Sequence, residues 1–118
     1  MSNASSNAND FYEKVVKNQT VYTFLSEGSY LVFPINGIDV IPFWSSQSRM
    51  EKVQTLHPKY QQYVLDETEL ESFLSKTVPD LQAENIHFGI NWSGQKLTGY
   101  NLTADELKTN IEYWQSKS

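Results

Sequence analysis

The residue types best able to do chemistry cluster in two short stretches of this chain. His87, Asn91 and Ser93 share "HFGINWSGQ" (residues 87–95), while Trp44, Ser45, Ser46 and Arg49 share "IPFWSSQSR" (residues 41–49). A serine nucleophile needs a base within hydrogen-bond reach and a third group to orient that base. Ser93 lies in Asn-Trp-Ser-Gly-Gln, which lacks the G-x-S-x-G elbow, and neither histidine has a carboxylate placed to orient it. Ser93-Gly94 instead has the composition of a tight turn. His57 and His87, the only two histidines, form neither H-x-x-x-H nor H-E-x-x-H. With no cysteine, thiolate zinc sites, disulfides and thiol catalysis drop out as well. Neither a metal nor a cofactor is expected, and a small hydrolase is the least supported of the functions considered.

Binding chemistry fares better. An aromatic beside helix-terminal amides and an arginine suits an anion or a peptide acid, which makes Trp44 and Arg49 candidates. His87 and Asn91 alternate with Ile86, Phe88, Ile90 and Trp92, so the two polar residues share one face of a strand. Tyr100, on the following strand, completes a candidate ligand or partner surface of Trp44, Arg49, His87, Asn91 and Tyr100. Each has a plainer explanation. Trp44 closes a core while its serines cap a helix, and His87 and Asn91 line an ordinary solvated or helix-covered sheet face. Glu67, Glu71, Asp105 and Glu106 suit the positive ends of helices, and Asp39 lies on an outer face or a turn edge. His57, before Pro58, reads as an imidazole meeting free carbonyls at a helix end. The sequons at Asn91 and Asn101 lack a secretory context, and Thr103 is better used as a helix cap.

Four segments, "DFYE" (10–13), "SRME" (48–51), "TELE" (68–71) and "TADE" (103–106), put Asp, Ser or Thr three residues before Glu, the pattern of a capping box. Each precedes apolar residues at helical spacing: Phe11/Tyr12/Val15/Val16, Met50/Val53/Leu56, Leu70/Phe73/Leu74/Val78 and Leu107/Ile111/Trp114. Ser45 or Ser46 offers an earlier cap for the second helix. Pro58 and Pro79 are expected to end the second and third. Between the helices, 21–25, 29–33 and 37–43 read as a three-stranded meander, 60–65 as a fourth strand, and 86–92 with 96–102 as a closing hairpin. Pro42 marks the third strand as an edge, or as ending there. A two-residue turn at Ser93-Gly94 would pair Ile90 with Leu97 and His87 with Tyr100. A three-residue loop would pair Phe88 with Tyr100 and Gly89 with Gly99. Turn chemistry favours the first. Gly89 and Gly99 leave shallow space on the sheet, open to a close backbone approach or a ligand.

The order α-β-β-β-α-β-α-β-β-α predicts an α+β domain with four helices and a mostly antiparallel sheet of five to six strands over residues 9–118. Residues 1–8 read as a flexible polar segment, with Ser2–Ala4 a vector-derived remnant. From about residue 11 to residue 113, "VYTFLSEGSYLVF", "DVIPFW", "LESFLSKTVPDLQAENIHFGINWSG" and "LTADEL" together resemble the bacterial domain-of-unknown-function family 2750. The most specific pieces are Pro42 and Trp44, with Asn91, Trp92 and Gly94. That family often has Trp where Tyr22 stands and Asn-Gly where Ser93-Gly94 stands. The resemblance implies a small α+β protein without assigned activity or catalytic residues.

The chain has 118 residues and a net charge of −5, from nine basic and fourteen acidic residues. The basic residues are scattered along the sequence and the run Asp66–Glu71 is acidic, which disfavours nucleic acid as a partner. No apolar run approaches a membrane span and no signal segment opens the chain, so a cytoplasmic protein is expected. The leading expectation is a non-enzymatic protein-interaction domain, acidic and able to self-associate. The alternative is a small-molecule or anion binding module.

Overall fold

A computed structural model describes residues 4–118. It contains four helices and seven strands arranged as an α+β fold. Helix α1 spans Ala4–Asn18 and buries Ala8, Phe11, Tyr12, Val15 and Val16, a stripe at helical spacing. Of the flexible segment expected at 1–8, residues 1–3 lie outside the described residues, and Ala4–Ala8 open this helix. The burial of Ala8 extends the apolar stripe by one turn beyond the part visible at Phe11.

Strands β1 (Thr20–Ser26), β2 (Ser29–Tyr30), β3 (Phe33–Ile35) and β4 (Ile38–Phe43) follow. They form two separate hairpins rather than one meander. Each closes on two residues with positive φ, Glu27-Gly28 and Asn36-Gly37, so the type I′ geometry expected at Ser93-Gly94 occurs at these turns instead. The unpaired Leu31 and Val32 let the chain pass from one sheet to the next. β1 lies between β2 and β5 (Val64–Glu69) in an antiparallel sheet, and β4 lies between β3 and β6 (His87–Ser93), with β7 (Thr98–Leu102) at the far edge. The β4–β6 pairing is parallel and every other one is antiparallel. Reciprocal backbone bonds between Tyr22 and Trp44, of 2.9 and 2.8 Å, join the two sheets.

β4 is interior, not an edge, and it ends one residue past Pro42, the other outcome that Pro42 allowed. Pro42 is tolerated because β3 stops opposite Val40, so no β3 neighbour is denied its N–H. Alternate residues of β4 face opposite cores. Ile41 and Phe43 meet α1 and the later helices, whereas Val40 and Trp44 meet Phe24, Met50, Val53 and Tyr60. The sheet is thus covered on both faces.

Helix α2 (Gln47–Leu56) is capped by Ser46, whose hydroxyl accepts from the Arg49 N–H, so the earlier of the serine choices supplies the cap and Ser48 does not. Pro58 opens a 3-10 turn, Pro58–Gln62, where the sequence suggested the start of a strand. The strand itself runs later, over Val64–Glu69, because its pairing with β1 carries it through the acidic run. Thr68 is therefore in a strand and caps nothing. Helix α3, residues 70–83, continues through Pro79 instead of stopping before it. A π turn carries the Val78 N–H to the Phe73 carbonyl, and this wider turn absorbs the proline's missing donor. Helix α4 (Ala104–Lys117) starts with a reciprocal capping box, Thr103 with Glu106, which none of the other three expected segments forms. Asp10 lies inside α1 and is not a cap.

The closing hairpin takes neither expected register. Phe88 pairs with Leu102, Gly89 with Asn101 and Ile90 with Tyr100, but Ser93 pairs with Thr98. Two residues, Asn91 and Trp92, oppose Gly99 alone. This β-bulge, with Asn91 at φ +45°, turns Trp92 onto the opposite face from Phe88 and Ile90. The space above Gly89 and Gly99 is filled by the Trp92 indole. A Cβ at Gly99 would stand 2.8 Å from Trp92 Cδ1, and one at Gly89 would penetrate the ring. Gly89→Ala is therefore expected to destabilise the fold by about 1–3 kcal/mol, the usual cost of overpacking, read from the urea unfolding midpoint.

Candidate functional site

Asn91 and Trp44 are fully buried, so neither forms part of an accessible surface. The Trp44 indole N–H donates to the Trp92 carbonyl at 2.8 Å, and its ring stands edge-on to Phe24. Asn91 Oδ1 accepts from the Ser45 backbone N–H at 2.9 Å. Its Nδ2 donates to the Asn7 carbonyl and to Ser45 Oγ, both at 3.0 Å. One amide thus joins β6, the β4–α2 junction and the start of α1. Its amide nitrogen, the sequon's acceptor atom, is committed to these bonds.

The five residues of the expected surface do not converge. His87 pairs with Val40 at the opposite end of β6 from Asn91, about 13 Å away at ~3.3 Å per residue. Tyr100 pairs with Ile90 and so faces the other side of the sheet from His87, where it is half exposed at an edge strand. His57 meets a carbonyl, as expected, but that of Gly94, which ties the end of α2 to the hairpin turn at 3.0 Å. Of the five, only Arg49 lines a substantial depression.

That depression is a groove of about 940 Å³ between α1 and α2, floored by Trp92, Ser93 and Gly94. α1 contributes Asn7, Asp10 and Lys14, which are spaced by three and four residues and so lie along one side of the helix. α2 presents Arg49, Lys52 and Leu56 on the same principle. Over the lining from Ser6 to Asn18, the α1 wall is about 18 Å long at ~1.5 Å per residue. Asp10 Oδ2 accepts from Arg49 Nε and Nη2 at 3.1 and 2.9 Å, while Oδ1 meets Lys14 Nζ at 3.3 Å. Arg49 Nη1 reaches Asn7 Oδ1 at 3.4 Å, and Asn7 Nδ2 donates to Ser93 Oγ at 2.9 Å. Lys52 has no ion-pair partner among the described residues.

The groove lining carries three cations and one carboxylate, against nine and fourteen in the whole chain. Local charge is the reverse of the global charge. Partial burial of Asp10 tends to raise its pKa, but the hydrogen bonds and charges of Arg49 and Lys14 outweigh burial and hold it below its ordinary value. Among the described residues no group of three or more His, Cys, Asp or Glu is placed to hold a metal ion, and no described helix is long and apolar enough to cross a membrane. The sequence concealed Asn7, Asp10, Lys14 and Lys52. Asn7 falls in the polar leader and Asp10 mimics a helix cap. Nothing local announces that α1 and α2 lie side by side.

The model of a protein family of unknown function, DUF2750, matches residues 8–111, and the chain belongs to that family. No curated protein matches it.

Two outcomes follow from this geometry. Asn91→Leu leaves the buried Ser45 N–H without its acceptor, at about 1–3 kcal/mol, and removes the tether to the Asn7 carbonyl, so thermal unfolding should shift down markedly. The lowered pKa of Asp10 means its carboxylate contributes stability above the ordinary carboxylate value and loses it as pH falls through the folded value. Asp10→Asn should therefore be slightly less stable than the wild type near neutrality, by ~0.2–1 kcal/mol for a part-buried pair, and the difference should shrink in urea titrations as pH falls below the ordinary carboxylate value.

Proposed function

We propose that this member of the DUF2750 family is a non-enzymatic protein-interaction domain whose α1–α2 groove receives an acidic segment of a partner protein. The charge inversion carries the reading: Lys14, Arg49 and Lys52 gather in one groove of a chain whose net charge is −5. The groove is elongated, and a wall of about 18 Å accommodates five or six residues of extended chain at ~3.3 Å each. Leu56, which is exposed, supplies apolar contact beside the cations. A nucleic acid fits less well, because its charge density of one phosphate per ~1.7 Å of duplex would meet the acidic remainder of the surface. We propose the bacterial cytosol as its compartment.

A second, weaker reading is self-association through β7. Its edge carries no charged residue and exposes Tyr100, whereas the edge strand β5 is guarded by Asp66, Glu67 and Glu69. A monomeric mass by light scattering at high protein concentration would dismiss it.

The test of the groove is fluorescence anisotropy with a labelled Glu-rich octapeptide at low salt. Saturable binding is expected, weakened about tenfold or more by the double change Lys14→Glu/Lys52→Glu and weakened by added salt. Equal binding of a Lys-rich peptide, or no effect of the double change, would overturn the reading. So would preferential binding of a single-stranded oligonucleotide, or full competition by glutarate alone, which would point to a small-molecule site.

A further inference from the structure

The Asp10–Arg49–Lys14 cluster shows what kind of group the groove holds. One carboxylate spans both cations, with Oδ1 toward Lys14 and Oδ2 toward Arg49. Resting on the acidic-segment reading above, we infer that Asp10 occupies the groove's carboxylate subsite in the free protein, and that an Asp or Glu carboxylate of the partner replaces it there. The resident fit is incomplete. Arg49 directs both Nε and Nη2 to the single oxygen Oδ2, whereas a guanidinium fork binds a carboxylate best through two parallel bonds to two oxygens. Asp10 is restrained by its place on α1 and must also serve Lys14. A carboxylate on an extended guest chain can approach the fork in its plane and take both bonds.

Displacement requires only a side-chain rotation of Asp10, whose side chain is 31% exposed and lines the groove. Arg49 remains oriented meanwhile, because Nη1 is held by Asn7 Oδ1 and Asn7 is fixed in turn by Asn91 and Ser93. Lys52, without an ion-pair partner among the described residues, lies one helical turn further along α2, positioned for a second carboxylate of the same guest. Asp10 thus sets a threshold. Guests carrying a lone carboxylate compete with it poorly, and guests with carboxylates in series gain Lys52 as well.

The subsite is tested by titrating the Glu-rich octapeptide, with either an amidated or a free C-terminus, into the wild type, Asp10→Asn and Arg49→Lys. Removing the resident charge should tighten binding by about fivefold, the scale of one exposed ion pair, while Arg49→Lys should weaken it by a similar factor. The amidated peptide should bind as well as the free one, since side-chain carboxylates suffice. Strong preference for the free C-terminus would overturn the side-chain assignment. The Arg49 Nε–H resonance supplies a readout that a merely structural role would not move. It should shift in Asp10→Asn and return toward its wild-type position on adding peptide. Unchanged or weaker peptide binding by a folded Asp10→Asn protein would overturn the subsite and leave the groove reading intact. Absence of peptide binding by both wild type and Asp10→Asn would overturn both.

Discussion

The Asn91 amide holds together three segments that are far apart in sequence. It sits at a positive-φ position within a β-bulge, fully buried, with donors and acceptors both engaged. A buried amide in such a place is acceptable only because Ser45 and the Asn7 carbonyl complete its hydrogen bonds. Those bonds fix the β4–α2 junction and the first turns of α1 against the same strand. The bulge also sends Trp92 to the second face, where it covers Gly89 and Gly99 and gives its carbonyl to Trp44. One irregular residue thereby determines how the two cores share a single sheet.

The groove is a consequence of that arrangement. α1 and α2 pack near the end of β6 because Asn91 tethers the elements at which each begins, and the valley between them is floored by the residues just after the bulge. Apart from Leu56, their groove-facing sides are polar because their apolar sides are already engaged: α1 with α4 and Phe88, α2 with Phe24 and Tyr60. Arg49 is oriented by Asn7 and Asp10, so the site's principal cation depends on the same N-terminal helix that Asn91 anchors. Fold and candidate site share one polar network, which makes buried Asn91 the support of the groove rather than part of its surface.

Much of the architecture was legible locally. The apolar stripes located all four helices, the β-type runs located the early strands though not their division into two hairpins, and Thr103 with Glu106 announced the last helix through a capping box that does form. Other local signals were ambiguous for physical reasons. Asp10 has the spacing of a cap but stands inside a helix, because burial of Ala8 draws the helix further toward the N-terminus. Pro79 should end a helix, yet a π turn accommodates it. The strict alternation from Ile86 to Trp92 implied one apolar face, and a single bulge divides it between two.

The amino-acid sequence by itself determined the fold class, the helices and the family resemblance, since each depends on contacts among near neighbours or on local motifs. Only the tertiary structure decided the division into two sheets, the register of the last hairpin and the pairing of Asp10 with Arg49. Those depend on groups remote along the chain, whose meeting no local periodicity encodes. For the same reason Arg49 kept its place in the candidate site while Trp44 and Asn91 became its buried support and His87 and Tyr100 fell away.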